Sequence, residues 1–341
     1  MQKFDYRAYF DRVQDMKKLQ VRSSDITWLE RYEKPARRYE NVLYLGCNIL
    51  RTPHIAQQVV RVFELLELDF VAVGGVQYCC GIIWDSSDDI AKGQAVSSKA
   101  ITRLESYGPD RVVMWCPSCN VHFSDTVRGR DGRKTAFEIT HATRFLADLA
   151  QQRGGLPWQR EVKQRVVLHA HAGREGHTEG QRRARADREA ATALLQTVPG
   201  LELVDVVVSE PELDYDCGPV APRLGTDRFR SHQRATLERA LRLGVDQVVT
   251  ISHACQREWC GENTGQLGFR NYISIVAEAL GLPVDPDLLS MFRAGLTTDE
   301  IVEASRPAWI SHGMTAEQAR AMVERYTRSG DLSGYSVDLS R

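Results

Sequence analysis

The eight cysteines are the residues of this sequence whose type and spacing carry the most chemistry. A chain of 341 residues can bury a sizeable core without disulfides. Clustered thiols in such a chain are more often metal ligands or redox groups than structural bridges. Five of the cysteines lie in the first half and three in the second: Cys47, Cys79, Cys80, Cys116, Cys119, Cys217, Cys255 and Cys260.

The first-half cysteines follow the strands of a predicted parallel sheet. From residue 41 onwards, apolar runs alternate with helical patterns, which predicts a doubly wound α/β fold. The carboxyl ends of parallel strands meet at one edge of an open sheet, so we expect all five thiols to converge there. The predicted strands are NVLYLGC (41–47), FVAVGG (70–75) and RVVMWC (111–116).

Cys116 and Cys119 lie at a predicted helix start, one helical turn apart, and Pro117 suits the first turn. Helix N-termini after Cys47 and after Cys116 would lower thiol pKa values and stabilise thiolates. Five converging thiols exceed the four ligands of tetrahedral zinc. The adjacent pair Cys79-Cys80 suits a cluster in which one sulfur bridges two irons. The residues therefore favour an iron–sulfur cluster, while zinc and free thiols stay open as alternatives.

The same plan of strands and helices recurs in the second half, with strands at 165–171, 201–208 and 246–255. Cys119 lies 38 residues after Gly81, and Cys255 lies 37 residues after Gly218, which indicates an internal duplication. We expect an N-terminal helical extension, two α/β domains, and a C-terminal helical tail packed on the second half. The predicted bounds are 1–40, 41–160, 161–284 and 285–341.

The cysteine pattern resembles that of the cysteine-rich CCG domain family. The motif consists of Cys47, Cys79-Cys80-Gly81 and Cys116-Pro117-Ser118-Cys119, with 31 residues between Cys47 and Cys79 and 35 between Cys80 and Cys116. This family includes the B-type subunit of heterodisulfide reductase and related glycolate-oxidase, lactate-utilisation and succinate dehydrogenase subunits. The resemblance covers about residues 41–280. It implies two pseudo-twofold-related Rossmann-like parallel-sheet domains, a duplicated CCG domain.

This resemblance also implies a cofactor and an activity. In similar members a non-cubane [4Fe-4S] cluster cleaves or forms a disulfide or persulfide-type bond, with an iron capturing the substrate sulfur. The substrate would be a thiol, a persulfide or lipoate-bound sulfur, as in the heterodisulfide-reductase-like complexes of sulfur-oxidising bacteria. Electrons would pass through flavin and ferredoxin-type iron–sulfur subunits. The implied cluster-binding and catalytic residues are Cys47, Cys79, Cys80, Cys116 and Cys119.

The second half departs from the family pattern at three cysteine positions. Ala172 stands in place of the first cysteine, Asp216 in place of the second, and Ser252 in place of the fourth. A second five-cysteine cluster is therefore not expected. A strand histidine such as His169 is more often satisfied by backbone than bound to a metal. The candidate second site, for zinc or a conventional cluster, is formed by Cys217, Cys255, Cys260 and His171, with a decayed copy as the alternative.

Composition and motifs exclude several other functions. A net charge of -1 argues against nonspecific electrostatic binding to nucleic acid or to an anionic membrane. The uncharged stretch 70–84 is too short to span a membrane, and the N-terminus does not resemble a secretory signal, so we expect a cytoplasmic protein. No dinucleotide or Walker motif is present. Two other functions stay open: an electron-transfer iron–sulfur subunit of a hydroxy-acid oxidase, and a zinc-binding scaffold subunit.

Overall fold

The computed structural model describes residues 5–29, 31–173, 175–209, 217, 226–260, 267–293 and 296–328. These residues form two four-stranded parallel sheets. The strands are β1 (Asn41–Tyr44), β2 (Phe70–Val73), β3 (Arg111–Met114), β4 (Glu138–His141), β5 (Gln164–Ala170), β6 (Leu201–Val208), β7 (Gln247–Thr250) and β8 (Gly268–Asn271). Their order is β2-β1-β3-β4 in the first sheet and β6-β5-β7-β8 in the second. The shared order confirms the α/β class and the pair of Rossmann-like domains.

Helices connect and flank the strands in both halves. They are α1 (Tyr6–Lys18), α2 (Pro53–Leu65), α3 (Ile82–Asp85), α4 (Ile90–Glu105), α5 (Pro117–Val121), α6 (Ala142–Gln152), α7 (Thr178–Gln196), α8 (Thr226–Arg242), α9 (His253–Trp259), α10 (Tyr272–Ala279), α11 (Leu288–Arg293), α12 (Thr298–Ala304), α13 (Arg306–Ser311) and α14 (Ala316–Arg328). A π-helix (His122–Arg130) continues α5, and short 3-10 helices lie at Ser23–Leu29, Asn48–Arg51 and Val76–Tyr78.

The central strands β1 and β3 are buried nearly throughout. Parallel strands covered on both faces read as continuous apolar runs, which explains why the sequence locates them. The strands β1, β2 and β3 each begin at the first residue of the predicted run. Between β2 and β3, the helices α3 and α4 are separated by a turn in which Asp88 has a φ of 61°.

The two halves share one hydrophobic core. Trp115 after β3 stacks on Tyr272 of α10, with ring centroids 5.7 Å apart. Beside this stack, α2 packs against α10, and the Ser274 hydroxyl hydrogen-bonds the Gln58 side chain at 2.5 Å. The halves are thus held by buried apolar surface together with buried polar contacts.

The terminal helices pack on the two-domain body and on each other. Tyr6 and Phe10 of α1 stack on Trp84, so this helix caps the first half. The C-terminal helices, which the sequence places on the second half, also contact the N-terminal segment, where Tyr326 donates a hydrogen bond to Asp15. The outermost parts of both predicted extensions, 1–4 and 329–341, lie outside the described residues. Within the described ranges, no helix is long and apolar enough to cross a membrane.

Candidate metal centres

The five first-half cysteines converge at the carboxyl edge of the first sheet. Their thiols come from the loops after β1, β2 and β3, and all five are 0 to 7% exposed. The chain reverses its direction of winding between β1 and β3, and ligand sites of open α/β sheets form at such a switch point. The converging residues are Cys47, Cys79, Cys80, Cys116 and Cys119.

The five sulfurs are neighbours in the fold. Cys47 donates a hydrogen bond to Cys79 Sγ at 3.8 Å. Cys79 and Cys119 affect the pKa of Cys80, and Cys116 affects the pKa of Cys119. Cys116 is the N-cap residue of α5, so three residues of helix place Cys119 close to the same face.

The pKa values of these thiols shift in different directions, and the thiol of Cys80 is the one that is lowered. The thiols of Cys119 and Cys79 hydrogen-bond Cys80 and lower its pKa to about 6, although burial opposes this shift. The hydrogen bond that Cys47 donates to Cys79, together with burial, raises the pKa of Cys47. A thiol must lose its proton to bind a metal ion or an iron–sulfur cluster, so binding depends on pH.

Gly46 lets the backbone approach the sulfurs closely. Its φ is +75°, and a Cβ at this position would lie 3.2 Å from Cys119 Sγ and 3.3 Å from Cys116 Cβ. Glycine therefore suits both the backbone conformation and the close approach of the sulfurs. Five buried thiols exceed the four ligands of a tetrahedral zinc ion and fit an iron–sulfur cluster better.

Two buried polar residues that sequence reasoning did not predict lie behind Cys80. Ser97 Oγ is 2.7 Å from the Cys80 carbonyl oxygen and 3.2 Å from His122 Nε2. Burial lowers the pKa of His122 to about 4, so this ring is neutral near pH 7. His122 begins the π-helix, a rare element that is frequent at functional sites. Its position three residues after Cys119 was the sequence signal that could have indicated its place near the thiols.

The second sheet has the same strand order as the first, so its positions can be matched to the first site. Tyr44 pairs with Met114 in the first sheet, and His169 pairs with Thr250 in the second. These are the last pairs of the two equivalent strand ladders, so Tyr44 corresponds to His169 and Met114 to Thr250. Residues the same number of positions further along each chain then correspond as well: Gly46 to His171, Cys47 to Ala172, Cys116 to Ser252 and Cys119 to Cys255. The second half thus has a histidine at the position where the first half has a glycine.

Two histidines and two cysteines come together at the second switch point. Their ligand atoms all lie within 4.8 Å of one another, and all four residues are buried. His171 Nε2 is 3.2 Å from Cys255 Sγ and 3.5 Å from Cys217 Sγ. His169 lies two residues before His171, which places both rings on one face of the extended chain. The four residues are His169, His171, Cys217 and Cys255.

Cys260, which the sequence suggested as a ligand, is not part of this group. It follows α9 and lies five residues after Cys255, which corresponds to a rotation of about 140° around a helix. Its thiol contacts the Arg257 carbonyl oxygen at 3.4 Å and packs against Met16 and Leu289. Burial raises the pKa of the Cys260 thiol to about 12, so it stays protonated. The adjoining Asp216 and Gly218 of the degenerate motif lie outside the described residues.

In contrast to Cys260, Cys255 has a thiol with a lowered pKa. Burial alone would raise its pKa, but a hydrogen bond from Cys217 and the charge of His171 hold it well below the ordinary value. Burial lowers the pKa of His169, which favours the neutral imidazole that binds metals. His169 was not among the ligands expected from the sequence, and its His-x-His spacing with His171 at the end of β5 was the available signal.

Comparison with known proteins concerns the first of these sites. Residues 42–124 match the family described as the cysteine-rich domain CCG. This segment contains all five first-half cysteines and the strands that position them. The match confirms, for residues 42–124, the resemblance seen in the sequence.

Two Methanosarcina proteins are similar to most of the chain. Both are described as the D-type subunit of dihydromethanophenazine:CoB--CoM heterodisulfide reductase. The Methanosarcina barkeri protein is 23% identical over 278 residues, covering 75% of this chain and 63% of its own length. The Methanosarcina acetivorans protein is 23% identical over 273 residues, covering 76% and 64%. The match thus spans less than two thirds of either relative.

Among solved structures, the chain shows weak similarity to two proteins of another kind. Picrophilus torridus aspartate racemase aligns with a TM-score of 0.31 and 11% identity, covering 72% of this chain and 96% of that one. An aspartate racemase homologue from Pyrococcus horikoshii aligns with a TM-score of 0.30 and 10% identity, covering 78% and 99%. At these TM-scores neither similarity carries an argument about function.

Proposed function

We propose that this chain is the iron–sulfur subunit of a heterodisulfide-reductase-like redox complex, an oxidoreductase that cleaves or forms a disulfide or persulfide-type bond in sulfur oxidation. The observation that carries this proposal is the convergence of five buried thiols at the carboxyl edge of the first sheet, where Gly46 lets the backbone approach two of them closely. The CCG domain and the similarity to the D-type heterodisulfide reductase subunits support it.

The five first-half cysteines would hold a non-cubane [4Fe-4S] cluster. When bound, such a cluster supplies an iron for the substrate sulfur and electrons for the sulfur–sulfur bond. The residues of the chain bind the group, keep it from water and hold charge. The pKa of Cys80, lowered to about 6, makes this residue the thiolate that is ready to bind near pH 7. Buried Trp84 and Trp115 flank the cysteines and restrict access of water.

We also propose that electrons reach this site through other subunits. The two Methanosarcina relatives are described as subunits of an enzyme, which supports a multisubunit assembly. Flavin and ferredoxin-type iron–sulfur subunits are the proposed partners, and a thiol, persulfide or lipoate-bound sulfur is the proposed substrate. The proposed location is the cytoplasm, where clustered thiols are kept reduced and serve as metal ligands.

Metal content and substrate reactivity test this function. The protein would be purified without oxygen, and iron, acid-labile sulfide and zinc would be measured in the wild type, in Cys80→Ala and in Cys260→Ala. We expect about four irons per chain, lost in Cys80→Ala and kept in Cys260→Ala, whose thiol lies outside both sites. The wild-type cluster should also change its electron paramagnetic resonance spectrum when a thiol or persulfide is added.

Two results would replace the proposal. Zinc without sulfide in the first site would indicate a scaffold subunit. A cluster that accepts electrons from a flavin hydroxy-acid oxidase but does not react with thiols, disulfides or persulfides would indicate an electron-transfer subunit.

A further inference from the structure

The group formed by His169, His171, Cys217 and Cys255 lies outside the site of the proposed function. We propose that these four residues bind a single zinc ion in a closed, structural site. The ion would join the end of β5, the segment that carries Cys217, and the start of α9. This inference goes beyond the proposed function and does not depend on it.

The spacing of the ligand atoms fits one tetrahedral ion. Zinc–sulfur bonds of about 2.3 Å and zinc–nitrogen bonds of about 2.0 Å place nitrogen and sulfur ligands about 3.5 Å apart. His171 Nε2 is 3.2 Å from Cys255 Sγ and 3.5 Å from Cys217 Sγ. All four ligand atoms fall within 4.8 Å of one another, so small side-chain adjustments complete the tetrahedron.

Residues around the four ligands hold them in metal-binding orientations. Ser209 Oγ lies 3.1 Å from His171 Nδ1, which leaves Nε2 facing the sulfurs. The indole N–H of buried Trp259 donates to Cys217 Sγ at 3.3 Å and stabilises a thiolate there. Metal-ligating histidines and thiolates usually have such outer partners.

His169 supplies an independent argument. The residue is 1% exposed, and neither ring nitrogen makes a hydrogen bond of ordinary geometry among the described residues, although the ring lies near Cys255. A buried polar group without a partner destabilises a fold, because it has lost its hydrogen bonds to water without replacing them. A metal bond to one of these nitrogens would remove that cost.

The comparison of the two halves distinguishes a zinc ion from a second cluster. His171 occupies the position that corresponds to Gly46, so an imidazole lies where the first site has no side chain and its sulfurs approach the backbone closely. Ala172 and Ser252 replace two of the thiols. Two thiolates and two neutral imidazoles balance the charge of Zn²⁺, which lowers the cost of burying the site. The mixed nitrogen and sulfur donor set is one that zinc prefers.

Elemental analysis with matched cysteine variants tests this site. Zinc and iron would be measured in the wild type, in Cys217→Ser and in Cys260→Ser, all purified without oxygen. We expect about one zinc per chain in the wild type and in Cys260→Ser, and a loss of at least about tenfold in Cys217→Ser. The iron content should be equal in all three proteins, because neither substitution touches the first site.

Two measurements do not rely on the folding of Cys217→Ser. Wild-type protein treated with a chelator would be titrated with Co²⁺, and we expect one equivalent to produce ligand-field bands of a tetrahedral ion and thiolate charge-transfer bands. Ser209→Ala keeps all four ligands, and its zinc affinity should fall about 10–100-fold. A wild-type protein without zinc that gives no such cobalt spectrum would overturn the proposal.

The remaining outcomes separate this proposal from the function proposed above. Loss of both iron and sulfide in Cys217→Ser would show a cluster in the second half and overturn the zinc site. Zinc that depends on Cys217 in a chain without iron would support the zinc site and contradict the proposed function. Iron that depends on Cys80 in a chain without zinc would support the proposed function and contradict the zinc site.

Discussion

Replacing Gly46 by alanine tests the first site with a single added methyl group. The φ of +75° costs a residue with a Cβ about 1–2 kcal/mol. The new Cβ would lie 3.2 Å from Cys119 Sγ and 3.3 Å from Cys116 Cβ, closer than ordinary contact, so these side chains must move by a few tenths of an ångström. Free thiols can make this movement, whereas sulfurs fixed to a cluster cannot. We therefore expect a folded protein that retains less than about half of its iron.

Gly313→Ala is the matched control for this substitution. Gly313 has a φ of +71°, and no atom lies within 4 Å of the point where its Cβ would stand, so it carries the same backbone cost without the contact. Both variants should lose about 1–2 kcal/mol of stability. This corresponds to a few degrees in melting temperature at about 2–4 °C per kcal/mol in domains of about 150–250 residues. Thermal unfolding would be measured together with iron and sulfide per folded chain.

The two variants distinguish crowding of the sulfurs from loss of stability. If Gly46→Ala keeps the wild-type iron content, no bound group fixes the side chains of Cys116 and Cys119, and the argument for a cluster there is wrong. If Gly313→Ala loses as much iron as Gly46→Ala, the iron loss follows from destabilisation and not from the methyl group beside the sulfurs.

Three further predictions concern the second half and the buried charges. Trp259→Phe removes the donor to Cys217 and should weaken zinc binding about 10–100-fold in competition with a chromophoric chelator, whereas unchanged affinity would contradict this role. Arg257→Leu leaves the buried Glu258 without its ion pair and should cost about 3–5 kcal/mol in urea unfolding, most of it recovered by adding Glu258→Gln. Burial lowers the pKa of His141 below its ordinary 6.5. The contribution of the neutral ring to the free energy of unfolding is therefore complete above that pH and is lost as the pH falls. His141→Asn should flatten the pH dependence of the free energy of unfolding.

The central strands and the convergence of the first-half cysteines could be predicted because both follow from local pattern. Val42 and Val113 lie in strands that are covered on both faces, so burial is recorded as a continuous apolar run. The edge strands β4 and β8 were not predicted. Their sequences, EITH and GFRN, are short and largely polar, and only pairing with β3 and β7 makes them strands.

The composition of the second site could be predicted only in part because it depends on side-chain direction. The sequence indicated Cys217, Cys255 and His171, and the structure brings these three together. Cys260 is close to Cys255 along the chain but projects from another side of the helix. His169 resembles an ordinary strand histidine until the surroundings of its ring nitrogens are seen in three dimensions.

We propose that the two halves hold different inorganic groups at equivalent places of one fold. Gly46 and Cys47 correspond to His171 and Ala172, so the second half differs by an added imidazole and a missing thiol at adjacent positions. Changing the histidine alone cannot supply the thiol. His171→Gly should remove the imidazole and with it a zinc ligand, but the missing thiols leave too few sulfurs for a cluster. We expect this variant to lose zinc and to gain no iron, and a gain of iron and sulfide in elemental analysis would show that the imidazole, and not the number of thiols, decides which group is bound.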